Sequence, residues 1–162
     1  MNEKSKNTSR QWVGPLAFFL LIIAVGMAAY HFRGYFEPKV IATLTPDTSC
    51  DLRKSPCKLS LPGGGEIQFS ITPQTIPVLE PVQFHVQVKG KDVSAVEVDL
   101  VGIGMNMGYN RPALKPEADG SFSGETMIPV CIRKRMDWEA RVLLHTPAGI
   151  VMAPFRFFTI KK

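Results

Sequence analysis

The 162-residue chain is poor in the groups that carry covalent chemistry: it has three histidines and three cysteines. It contains no G-x-S-x-G and no H-E-x-x-H, and Gly63-Gly64-Gly65 lacks the Lys-Ser/Thr that completes a phosphate loop. No C-x-x-C occurs, and no βαβ pattern that would carry a thioredoxin-like site. The acids Asp51, Glu117 and Asp119 are scattered through loop sequence without a visible partner. These absences argue against an enzyme. The net charge is +5, yet no basic helix and no basic strand interleaved with aromatics appears, which argues against nucleic acid as a partner. Internal repeats, low-complexity segments and a helical period beyond the first 30 residues are also missing. Charged residues are only 20% of the chain and apolar residues 45%, a balance that excludes disorder.

What is present begins with a run of about 19 uncharged residues, Trp12 to Tyr30, long enough as a helix to span the ~30 Å of a bilayer core. Trp12 and Tyr30 flank it where amphipathic rings settle at an interface. Lys4, Lys6 and Arg10 precede it, which predicts a cytoplasmic tail over 1–11, an anchor over 12–30, a linker over 31–39 and an outward, periplasmic domain over 40–162. In that reading the chain is a single-pass protein of a bacterial inner membrane. The rival is a cleaved signal peptide, but the run exceeds the usual signal core and ends in no clear A-x-A site.

After the anchor, roughly 125 residues remain, enough for one domain with its own core. Thirteen glycines and thirteen prolines suit a fold of short strands and turns. Apolar and polar residues alternate at Ile67-Phe69-Ile71, at Val82-Phe84-Val86-Val88, at Val96-Val98-Leu100 and at Trp138-Ala140-Val142-Leu144. Val40 to Thr45, Phe122 to Val130 and Ile150 to Ile160 also read as strands, with Pro154 restricting the last to an edge or bulge. The expectation is a mainly β protein: one transmembrane helix, then an antiparallel immunoglobulin-like β-sandwich of about seven strands, with a small barrel second. Gly102 to Gly120 is an unusually long loop for a compact domain.

Cys50 and Cys57 are close in a Pro/Gly-rich loop and predict a local disulfide outside the cytoplasm, with a metal clip as the alternative. Cys131 is left over: a free thiol, a metal ligand, or a buried core residue. With Arg133-Lys134-Arg135 as the tip of a hairpin, Cys131 and Met136 would face each other across it. Met105 and Met107 in the long loop would join them at one end of the sandwich. Four soft sulfurs, Met105, Met107, Cys131 and Met136, would select Cu(I) over harder ions; methionines that merely fill core are the competing account. His85 and His145 fall on polar strand faces, without the two-His-plus-Cys set of a blue-copper centre. Arg133, Lys134 and Arg135 are candidates for meeting an acidic partner, or simply solvated charge.

Three short stretches together resemble the YtkA-like and FixH-like exported domains: Gly104-Met105-Asn106-Met107-Gly108, Asp119-Gly120-Ser121-Phe122 and Met136-Asp137-Trp138-Glu139-Ala140. The resemblance implies an immunoglobulin-like fold and a role in copper trafficking or in assembly of haem-copper respiratory oxidases, with an oxidase or a copper chaperone as partner. It extends to Met105, Met107, Met136 and Trp138. Cys131 and the Cys50/Cys57 loop lie outside that pattern.

Overall fold

The computed structural model describes residues 8–32 and 39–161. The start of the predicted tail, 1–7, and most of the predicted linker, 33–38, lie outside the described residues. The chain divides into two units, Met1–Glu37 and Pro38–Lys162. In the first, helix α1 runs Thr8–Phe32, so helical backbone extends beyond the apolar run at both ends. Its window Gly14–His31 has a mean hydropathy of 1.8 and is long and apolar enough to cross a membrane.

The second unit is mainly β. Its strands are β1 (Val40–Thr43), β2 (Cys57–Ser60), β3 (Glu66–Thr72), β4 (Pro81–Lys89), β5 (Ala95–Gly102), β6 (Ala113–Pro116), β7 (Phe122–Met127), β8 (Arg135–Thr146) and β9 (Gly149–Ile160). The period-two signal places them: Ile67, Phe69 and Ile71 are buried while Glu66, Gln68 and Ser70 are only partly so. The same alternation recurs along β4, β5 and β8, because successive side chains of a strand point to opposite faces.

The strands form one hydrogen-bonded order, β1-β9-β8-β5-β6-β7-β4-β3-β2, and this corrects the expected topology in three ways. There are nine strands rather than about seven. Both additions are four-residue strands inside stretches read as loop, β2 and β6, too short to carry an alternation. β6 pairs with both β5 and β7 and so joins the two halves into one sheet. Pairing is antiparallel except at β1, which runs parallel to β9. The sheet curls, so that Phe69 of β3 packs on Phe155 of β9 with ring centroids 5.2 Å apart. Pro154 falls just past Met152, where pairing with β1 stops, so its missing N–H breaks no ladder.

The chain enters this domain beside the β8–β9 turn, where Ile150 N–H donates to the Lys39 carbonyl. A Cβ on Gly149 would lie 2.9 Å from the Lys39 carbonyl and 2.6 Å from Ile41, so glycine lets β1 cross this close. At the Asp119-Gly120-Ser121 turn, Asp119 accepts from the Ser121 hydroxyl at 2.6 Å and its N–H at 2.9 Å. Those bonds hold the Asp119 carboxyl below its usual range. The turn's support is therefore full above the ordinary carboxylate pKa and is lost as pH falls below it.

The Cys50–Cys57 disulfide forms as expected, closing a loop of sequence separation 7 around Leu52, which is buried in the core. Its contribution by loop closure is about 2–3 kcal/mol. The double variant C50A/C57A is expected to melt about 8–12 °C lower than the parent in non-reducing thermal denaturation, since Leu52 then needs its loop ordered without the bond.

Candidate functional site

β5 and β8 run antiparallel with Gly102 opposite Trp138, and Ile103 N–H donates to the Asp137 carbonyl to extend that pairing by one step. Beyond it the chain leaves the sheet as the methionine loop. Asn106 Oδ1 accepts from Gly108 N–H at 2.9 Å, a side-chain turn that folds the loop back. Met105 and Met107 thereby pack, half-buried, against the core that contains Met136 and Cys131.

The gathering point is Gly102. A Cβ placed there would lie 2.5 Å from Met136 Cε, 2.7 Å from Met107 Cγ and 2.7 Å from the Met105 carbonyl oxygen. The Cys131 thiol donates to Met105 Sδ at 3.5 Å. Met105, Met107, Cys131 and Met136 therefore lie at one end of the domain. Cys131 and Met136 are buried, at 6% and 2% exposure, and Met105 and Met107 form the outward side.

The route by which Cys131 arrives differs from the expected hairpin. β7 pairs with β4 and β6, and β8 pairs with β5 and β9. Residues 128–134 are thus a crossover between the two halves of the sheet, and Cys131 and Met136 are not opposite one another on two arms. The crossover is fixed where Leu79 N–H donates to the Ile128 carbonyl and Lys161 N–H to the Lys134 carbonyl. Cys131 points inward from it while Ile132 points out.

Arg133 and Lys134 are exposed on this crossover, and among the described residues neither forms an ion pair. A Cβ on Gly104 would lie 4.0 Å from an Arg133 terminal nitrogen, so that guanidinium sits beside the methionine loop. Arg135 does something else: it starts β8, pairs with Asp137 at 2.8 Å and stacks 3.9 Å over the Phe158 ring. Arg53 covers the same ring at 4.5 Å. That stack was not legible in the sequence, since it joins residues about a hundred positions apart.

His85 and His145 are elsewhere in the domain. His145 pairs with Ala95 at the opposite end of β5 and lies 3.8 Å from Glu97, and His85 sits mid-strand opposite Ser70 and Ser123. Among the described residues no group of three or more His, Cys, Asp or Glu is placed to hold a metal. The sulfurs of Cys131 and Met105 do approach one another, at 3.5 Å. No protein-family model matches the chain, and no curated protein matches it in sequence.

Gly102 itself is testable. Alanine there meets the Met105 backbone as well as two side chains, so the methionine loop must move. G102A is expected to cost about 1–3 kcal/mol, as overpacking does, measured by urea denaturation. A loss below about 0.5 kcal/mol would mean the loop is not seated on this glycine.

Proposed function

We propose that the domain is a Cu(I)-binding accessory module, held by its helix in a bacterial inner membrane with the N-terminus cytoplasmic and the β domain periplasmic. It serves copper delivery or the assembly of a haem-copper oxidase. The observation that carries this reading is the 3.5 Å approach of the Cys131 and Met105 sulfurs, with Met107 and Met136 at the same glycine. Two sulfurs so spaced could share one soft ion. The donor set fits the ion: thiolate and thioethers are soft and favour Cu(I). Met105, Met107, Met136 and the Cys131 thiolate would hold it, and the ion would supply the cargo rather than a reaction.

The half-buried methionines on the outside and the buried thiol inside suit capture and release through the loop. The resemblance to YtkA-like and FixH-like domains points the same way.

Competition with a Cu(I) chelator tests the proposal. The native domain is expected to take about one equivalent. The variant M105L/M107L/C131A should lose more than the ~10–100-fold that outer-shell changes cost at metal sites. Unchanged affinity in that variant would falsify the site. The second reading, a metal-free anchored interaction module, is favoured by the burial of Cys131 and Met136 in the hydrophobic core. It predicts no copper-dependent change in either protein.

A further inference from the structure

The two edges of β9 are used unequally. It pairs with β8 along its whole length, while β1 covers it only from Ile150 to Met152. Alternate residues of a strand send their N–H and C=O groups to opposite sides. Ile150 N–H donates to the Lys39 carbonyl and the Met152 carbonyl accepts from Leu44 N–H, whereas Lys161 N–H turns the other way, to the Lys134 carbonyl just before β8. Even-numbered residues therefore face the side of β1, and odd-numbered residues face β8. By that parity the N–H groups of Arg156, Phe158 and Ile160 and the carbonyls of Pro154, Arg156 and Phe158 point to a side that no strand occupies. Among the described residues no backbone group bonds them. The open stretch, Pro154 to Ile160, is about 20 Å long at ~3.3 Å per residue.

A bare edge is often blunted by a loop laid over it. Here the disulfide loop comes near without pairing. Arg53 lies 4.5 Å over the Phe158 ring, but among the described residues no backbone bond joins residues 45–56 to β9. A cavity of about 410 Å³ lies against both, lined by Arg156 and Phe158 from the strand, by Asp47 and Asp51 from the loop and by Ile103 ahead of the methionine loop. The arginines of this cavity are already paired: Arg156 with Glu139 at 3.3 Å and Arg135 with Asp137 at 2.8 Å. Asp51 meets Lys54 only at 4.0 Å, and Asp47 forms no ion pair among the described residues. The charge left unmatched in the cavity is negative.

We infer that this edge of β9 takes one further strand, an extended segment of a partner protein that bonds its backbone to Arg156, Phe158 and Ile160 and sets a Lys or Arg side chain against Asp47 and Asp51. Main-chain bonds along the edge supply affinity for any extended segment. The two acids choose among segments by charge, and Ile103, 40% exposed, offers an apolar contact to a neighbouring side chain. The inference goes beyond the copper reading and does not rest on it, since none of these groups is a sulfur ligand.

Amide hydrogen exchange on the full chain in detergent micelles tests the edge. Without a partner, the amides of Arg156, Phe158 and Ile160 should exchange fast, and those of Phe155, Phe157 and Thr159, bonded to β8, slowly. Equal protection of the two sets would show the edge already covered and overturn the inference. Protection of the first set that appears only with rising protein concentration would also overturn it, because the occupant is then a second copy. The probe for the occupant is a displayed library of random peptides of about ten residues, enough to span the open stretch. Expected binders carry Lys or Arg, slow exchange at Arg156, Phe158 and Ile160, and lose binding when one alternate set of their amides is N-methylated but not the other. D47N/D51N should weaken them about tenfold while keeping the parent's melting temperature and Cu(I) affinity, so the loss is neither of the fold nor of the sulfur site. No binders, binders that leave those three amides exchanging, tolerance of either methylated set, or indifference to D47N/D51N would each overturn the added strand.

Discussion

Trp138→Ala is expected to remove most of the domain's stability, leaving it largely unfolded at 37 °C. Trp138 is fully buried and its register partners are Gly102 on β5 and Phe157 on β9. Its indole N–H donates to Thr159 Oγ1 at 2.9 Å, and Thr159 is itself buried. Truncating a core Trp to Ala costs about 3–5 kcal/mol through lost burial and the cavity left behind. The Thr159 hydroxyl then loses its donor in a dry site, a further ~1–3 kcal/mol. Together these approach the whole of the ~5–15 kcal/mol typical of a domain. Trp138→Phe separates the two terms: it keeps an aromatic ring but orphans the hydroxyl. Adding Thr159→Val to Trp138→Phe should recover about 1 kcal/mol, because both partners of the bond are then apolar. Urea unfolding followed by circular dichroism measures each variant. A loss below about 2 kcal/mol for Trp138→Ala would show that the β5–β8–β9 centre does not depend on this side chain.

The strands that carry this centre were the easiest to read. β3, β4, β5 and β8 each bury one face, so their sequences alternate for at least five residues, and period two is unambiguous at that length. β2 and β6 were illegible for the converse reason. β6 places only Leu114 in the core and ends at Pro116, and β2 starts at a disulfide cysteine. Neither has enough residues to show a period, and both owe their strand state to the neighbours they pair with. Missing β6 had the larger consequence, since it is the strand that turns two expected sheets into one continuous order.

The sulfur cluster was legible as a set and not as a geometry. Soft residue types in an irregular glycine-rich loop marked Met105 and Met107, and an unpaired thiol near Met136 marked the rest. The local route was misread because Arg133-Lys134-Arg135 resembles a hairpin tip. What decides between a hairpin and a crossover is which strands β7 and β8 pair with, a long-range property that local spacing does not contain. The convergence survived the error because it depends on Gly102, whose missing side chain opens room for Met107 and Met136.

Cu(I) is expected to raise the melting temperature of the native domain by about 12–20 °C and that of M105L/M107L/C131A not at all. A ligand that binds only the folded state stabilises it by about 4.1 kcal/mol when its free concentration is 1,000 times Kd. For a domain of this size each kcal/mol moves the midpoint by about 3–5 °C. The variant is chosen so that the metal-free protein changes little. Met→Leu conserves volume and costs under about 1.5 kcal/mol in a core, and Met105 and Met107 are only half-buried, which lowers the cost further. Cys131→Ala removes one sulfur from a site that is nearly closed, and with it the only donor that can carry a negative charge. Binding through that thiol releases a proton, so the copper-induced shift should grow as pH rises in the native domain. In the single variant C131A the shift should be smaller and flat with pH, because thioethers carry no proton. Differential scanning fluorimetry with buffered Cu(I) across pH reads all of these. If Cys131 and Met136 only fill the core, copper leaves the native midpoint where it was. If the variants shift as far as the parent, the metal sits somewhere other than at Gly102.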